Sequence, residues 1–202
     1  MNGVRPGMFS RAEVKDIVIS VIVLSLVFAY PDFLINPIII VISLFVVGIA
    51  FMGHELSHRF TARKLGYFAE YRMWPQGIML AIFFTLLTNG SFIFAAPGAV
   101  VFGSFWAFKN PTPNDVGKIG ISGAVFNIIL MLTLIFANYL YPYWILVYAA
   151  MINAWLAIFN LIPLGPLDGR KVLDWNRGVW SLAFIVAIIS FAFINMFLLP
   201  FI

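Results

Sequence analysis

The stretch PIIIVISLFVVGIAFMGHELSHRFTARK, residues 37–64, decides how this chain folds. From Pro37 to Gly53 it carries no charged side chain, and as one helix rising about 1.5 Å per residue it is long enough to cross a hydrocarbon core about 30 Å thick. Near its end stand His54, Glu55 and His58, and these two histidines are the only ones in the chain. Residues four apart lie on one helix face, so both imidazoles reach the same point in space, where a metal ion would sit. Arg59, Arg63 and Lys64 follow at once, which puts His54 only about 8 Å of helix rise before the first fixed positive charge. The pair is therefore inside the membrane but close to its basic side.

The rest of the composition agrees with a membrane setting. Of 202 residues, 63% are hydrophobic and 10% charged, and the mean hydropathy is +1.02. No soluble domain of this size keeps so much apolar surface from water. The alternating pattern of a membrane barrel is absent, so the class is a polytopic α-helical membrane protein with about five to six transmembrane segments. Cysteine is missing, which excludes disulfides and thiolate ligands and leaves nitrogen and oxygen to hold any metal. The net charge of +4 and pI near 9.5 would suggest nucleic acid as the partner of a soluble protein. In a membrane protein the placement of the basic residues matters more, and no nucleic-acid partner is expected.

Residues 1–36 read as an N-terminal span and link, 37–175 as the core and 176–202 as a C-terminal span, together one membrane-embedded domain. Arg5, Arg11 and Lys15 lead into the apolar run Ile17 to Tyr30, a retained span or, as the alternative, a signal peptide; no small-residue cleavage pattern follows it. From Gly77 to Phe105 the chain is apolar but broken at Asn89-Gly90-Ser91 and Ala96-Pro97-Gly98. Its first piece, Ile78 to Thr88, is about 16 Å long as a helix and reaches halfway across. Ser91 to Phe102 suits extended chain better than helix. The segment reads as a re-entrant excursion that leaves on the side it entered, tolerable where protein or water covers it. Further spans run from Ile119 to Asn138, Tyr143 to Ile162 and Val179 to Leu199.

All 12 basic residues fall in four groups: three before Ile17, four from Arg59 to Arg72, Lys109 with Lys118, and Arg170, Lys171 and Arg177. With a re-entrant 77–105 segment these groups share one face, and the links at 31–36 and 139–142 on the other have none. The positive-inside rule makes the basic face cytoplasmic, with an internal N-terminus and the histidine pair near that face of a multi-pass protein of the cell membrane.

His-Glu-x-x-His on a helix has a mechanical logic: two neutral imidazoles hold Zn²⁺, and the glutamate between them takes a proton from water at the metal. In hydrocarbon such a cluster costs several kcal/mol unless liganded, and an ionisable group there is a functional candidate by default. Catalytic zinc takes three protein ligands, and here the third must be an acid. Asp32 lies on the far side. Glu13, Asp16 and Asp115 read as solvated carboxylates, Glu70 as a weaker candidate, and Asp174 as the partner of neighbouring basic residues. Asp168 is the best choice. It follows a span end broken by prolines and glycines, on the basic side, at nearly the depth of the histidines.

These two motifs carry a resemblance. His54-Glu55-x-x-His58 at the end of one span, with Asn160-x-x-Pro163-x-x-Pro166-Leu167-Asp168-Gly169 at the end of a later one, resembles the site-2 protease family of intramembrane zinc metalloproteases, in a minimal form without an appended PDZ domain. The resemblance covers about Pro37 to Asp174. It implies one Zn²⁺ bound by His54, His58 and Asp168, Glu55 as general base, and hydrolysis of peptide bonds in the transmembrane segments of membrane-tethered protein substrates. Ser122-Gly123-Ala124-Val125-Phe126-Asn127 is similar to the family's Gly-Pro-x-x-Asn element, with Ala124 where proline is usual. Arg170 stands where a second glycine is common. Asn127 reads either as a ligand of substrate or oxyanion, or as a contact between helices. Asn160 stabilises the broken end near Asp168 or, by the resemblance, touches substrate. The strand-like stretch from Ser91 pairs with an unwound substrate or serves as a packing plug. The rival reading is a membrane metal-binding or transport protein using the same ligands, which would call for polar residues along several spans.

Overall fold

The computed structural model describes residues 9–103, 110–165 and 167–199. Arg5, Lys109, Pro166 and the end of the 77–105 segment lie outside them. The first helix, α1 (Arg11–Ala29), starts earlier than the apolar run because Ser10 caps it: the Ser10 hydroxyl accepts the Glu13 N–H at 3.0 Å, as in the Ser-x-x-Glu start signal. A single 3₁₀ turn at Asp32–Leu34 links it to α2 (Ile38–Lys64), the helix of the histidine pair. Then come strand β1 (Phe68–Met73), helix α3 (Pro75–Leu87) and strand β2 (Gly98–Gly103). Helices α4 (Pro113–Leu140), α5 (Trp144–Leu161), α6 (Asp168–Trp175) and α7 (Arg177–Phe193) follow, and one π-helical turn extends α7 to Leu198.

Of the five to six crossing segments expected, four helices are long and apolar enough to cross a membrane: α2, α4, α5 and α7 with its π turn. Helix α1 carries Arg11, Glu13, Lys15 and Asp16 in its first two turns, and α3 has only 13 residues. Of the four long helices, α2, α4 and α7 turn Phe45, Ile129, Phe136, Leu182 and Ile189 outward, as helices that face lipid do, while α5 is the most buried. Between helices the chain uses small residues and hydroxyls, the contacts that let backbones approach in a membrane. Ala50, Ala124, Ala150, Ala154 and Ala157 are fully buried, and the Ser43 hydroxyl of α2 donates to the Ser25 carbonyl of α1 at 2.8 Å.

The segment between α2 and α4 departs most from a bundle. Strands β1 and β2 form an antiparallel two-stranded sheet in which Phe68 faces Gly103 and Met73 faces Gly98. The described chain thus returns at Gly103 to the level it left at Phe68, as the excursion reading requires of the backbone. The turn after α3 lies at the opposite end of α1 from the contacts of β1 with Glu13 and Asp16. A Cβ on Gly90, in the turn after α3, would strike the Tyr30 carbonyl and Pro31, so this turn lies against the link beyond α1. Strand β1 covers the first part of that depth and α3 the second. Within the described part of the 77–105 segment, extended structure is confined to 98–103; residues 91–97, also expected to be extended, are irregular.

Candidate metal centre

Helix α2 puts the His54 and His58 rings edge to face, 4.6 Å apart between centroids, with their Nε2 atoms 3.0 Å apart. Asp168, the first residue of α6, brings Oδ2 to 2.8 Å from His58 Nε2 and 3.4 Å from His54 Nε2. All three side chains are buried and offer ligand atoms within 4.8 Å of one another. Elimination among the acids had led to Asp168, and the fold brings that carboxylate to the imidazoles.

Asp168 reaches this position because α6 packs tightly on the end of α5. A Cβ on Gly169 would overlap the Leu161 and Ile162 carbonyls, so only glycine permits the approach. Lys171, one turn further along, donates from Nζ to Asp168 Oδ1 at 2.8 Å, which occupies one carboxylate oxygen and leaves Oδ2 to the histidines. On α4, a Cβ added to Gly123 would lie 2.5 Å from His58 Nε2 and 2.6 Å from His54 Nε2. The glycine keeps open the space into which the imidazoles point.

The outer nitrogens of both rings are held. His58 Nδ1 lies 2.6 Å from the Ile119 carbonyl, an acceptor only, so Nδ1 carries the proton and Nε2 presents its lone pair to the centre. His54 Nδ1 lies 2.6 Å from Asn127 Oδ1. Asn127 is fully buried, and its Nδ2 donates to the Ala50 carbonyl at 3.1 Å and to Asn153 Oδ1 at 2.9 Å. A hydrogen-bonded outer nitrogen is the usual setting of a metal-ligating histidine. Two imidazole nitrogens and one carboxylate oxygen, without thiolate, suit a catalytic zinc site with a fourth position left for water. By donor set, burial and the cradle at Gly123, the residues fit that ion.

Glu55 is 8% exposed and its Oε2 has no hydrogen-bond partner among the described residues. It lines a cavity of about 390 Å³ together with His58, Asp168, Asn160 and the β2 residues Val100 and Phe102. Asn160 uses Nδ2 on the Leu156 carbonyl at 3.0 Å. Beneath the sheet, the buried Tyr71 hydroxyl lies 2.8 Å from the Ser20 hydroxyl.

The other acids are elsewhere. Glu13 is not solvated as expected: it is 1% exposed and pairs with Arg59 at 3.1 Å. Asp115 is also buried, accepting from the Tyr67 and Thr112 hydroxyls. Glu70 pairs with Arg72 at 2.8 Å, and Asp174 with Arg170 at 2.8 Å as expected. Sequence reasoning missed Gly123 as a cradle, Lys171 and Asn153. For Asn153 a signal existed, since an amide in an otherwise apolar span needs a partner; for the other two, only the folded contacts reveal the role.

Fold and site together define a mostly helical protein with four helices long and apolar enough to cross a membrane and a buried His–His–Asp cluster positioned to hold a metal ion. Over 180 residues the chain is 39% identical to a Methanocaldococcus jannaschii protein named "Putative zinc metalloprotease", a match covering 86% of this chain and 90% of that one. The chain belongs to that metalloprotease family, and its cofactor is zinc. No family model and no solved structure matches it.

Proposed function

We propose that this metalloprotease is of the site-2 type and hydrolyses peptide bonds within transmembrane segments of membrane-tethered proteins. One observation carries the reading: Glu55, whose Oε2 has no hydrogen-bond partner among the described residues, lines with His58 and Asp168 a cavity whose other wall is strand β2, and His54 joins those two ligands from behind, in a molecule whose long helices are apolar enough for lipid. In this reading α1 is a further span despite its charged start, and the 68–103 segment is re-entrant, with the site near the cytoplasmic face.

His54, His58 and Asp168 would hold the zinc, which when bound polarises the scissile carbonyl and lowers the pKa of the attacking water. The chain's own groups do the rest. β2 pairs with β1 alone among the described residues, and its other edge can receive an unwound substrate by main-chain hydrogen bonds. Such pairing lays a peptide bond along the cavity wall. Glu55 then accepts the water proton and delivers it to the leaving amine. Asn160, on the same cavity, is placed to donate to or accept from the substrate backbone.

Purified protein should contain zinc and cleave a membrane-spanning test substrate, and a chelator should abolish cleavage. Glu55→Gln should retain zinc and lower the rate by at least about a hundredfold, the scale of a lost general base. Cleavage at the wild-type rate by Glu55→Gln overturns the assignment.

A further inference from the structure

The two imidazoles are anchored in different ways. His58 leans on a backbone carbonyl, Ile119, which no side-chain substitution removes. His54 leans on an amide, and an amide can present either end to it: with oxygen toward the ring Nδ1 must carry the proton, with nitrogen it must not. The surroundings decide which. One face of the Asn127 amide meets the Ala50 carbonyl at 3.1 Å, and a carbonyl only accepts, so that end is Nδ2. Its second proton goes to Asn153 Oδ1 at 2.9 Å. Asn153 is oriented in turn by the Ala149 carbonyl, to which its Nδ2 donates at 2.9 Å. Asn127 and Asn153 are at most 1% exposed, so water cannot replace these partners.

We propose that Asn127 and Asn153 are positioning residues that lock His54 in the Nδ1–H form and so aim its Nε2 lone pair at the zinc position. The inference rests on the metalloprotease reading above. It gives Asn127 a task that uses its oxygen and both amide protons, and leaves it no proton for a substrate or an oxyanion. The chain of hydrogen bonds crosses three helices, each donor giving to the next acceptor, from His54 on α2 through Asn127 on α4 to Asn153 and the Ala149 carbonyl on α5. A helix displaced along this line would reach the metal ligand.

Because the chain has only two histidines, ¹⁵N-histidine labelling in detergent micelles reads both rings separately. In zinc-free wild type both rings should carry a proton on Nδ1, His58 toward the Ile119 carbonyl and His54 toward Asn127 Oδ1. Asn127→Leu should move His54 to the Nε2–H form or a mixture while His58 stays, and should weaken zinc binding 10- to 100-fold in competition with a chromophoric chelator. Asn127→Asp keeps an acceptor and should restore the His54 signal. Asn153→Leu removes no group in contact with His54; it should give the same His54 change in weaker form, and it decides the matter if Asn127→Leu does not fold. An unchanged His54 signal in both leucine variants, or unchanged zinc affinity in both, overturns the proposal. Wild type without zinc affinity would instead overturn the metalloprotease reading, and the tautomer measurement would still judge the relay.

Discussion

Gly123 is where the metal centre is most exposed to a single methyl group. The added carbon of Gly123→Ala would stand 2.5 and 2.6 Å from the two Nε2 atoms, well inside van der Waals contact, and on the side where an ion must bind. Alanine is the better helix former, by about 1 kcal/mol, so the helix itself gains. The expected result is a protein that folds and purifies like wild type and contains almost no zinc, as metal analysis per chain would read. Full zinc content would show that the imidazoles meet the ion elsewhere. Lys171 acts from the opposite side. Its ammonium takes Asp168 Oδ1 at 2.8 Å, so Lys171→Met frees the carboxylate to rotate and should weaken zinc binding by about tenfold, with Lys171→Arg close to wild type. A chelator competition that gives equal affinities for wild type and methionine variant would remove Lys171 from the site.

At the scale of elements, α1 is fastened to β1 by carboxylates. The Tyr71 N–H donates to Glu13 Oε1 at 3.1 Å and the Met73 N–H to Asp16 Oδ2 at 3.3 Å. These N–H groups are two residues apart, on the strand edge away from β2, and the two acids are three apart on one face of α1. The edge is thereby covered, and β2 has the edge that is free of strand pairing among the described residues. Glu13→Ala would also remove one carboxylate partner of buried Arg59, one residue past the ligand His58, and should destabilise the protein by up to about 3 kcal/mol, read as a lower Tm in detergent; a Tm within a degree of wild type would refute this role. Much of this level was hidden in the sequence. The helix of residues 37–64 and the break before Asp168 were legible because long apolar runs, prolines and glycines act locally. Glu13 read as solvated because its partners lie 46 and 58 positions away. Strand β1 had left a trace, Ala69 and Tyr71 facing inward and Glu70 and Arg72 outward, but six residues of alternation in a polar stretch are weak beside the helical signals around them.

For the whole molecule, the distribution of basic residues and the path of the 68–103 segment answer one question between them: which ends of the helices share a face. Strand pairing returns Gly103 to Phe68, while the turn at Gly90 lies against Tyr30 and Pro31 at the other end of α1. If the segment is a deep re-entrant excursion, the start of α4 lies on the same face as the end of α2, and Lys64 and Lys118 belong together on the basic side. A cysteine-free chain allows a direct test, since each introduced thiol is the only one present. Asn36→Cys and Tyr141→Cys should react with a membrane-impermeant maleimide in intact cells, and so should Asn89→Cys at the turn after α3. Lys64→Cys, Lys118→Cys and Arg177→Cys should react only after the membrane is opened. Labelling of Lys118→Cys from outside, with Lys64→Cys protected, would mean that the segment crosses, and that β2 leads away from the zinc side instead of back to it. The reach of the cavity to a substrate strand depends on that difference, because an excursion that returns keeps strand β2 facing His58 and Asp168 across the same cavity, within reach of one stretch of unwound chain.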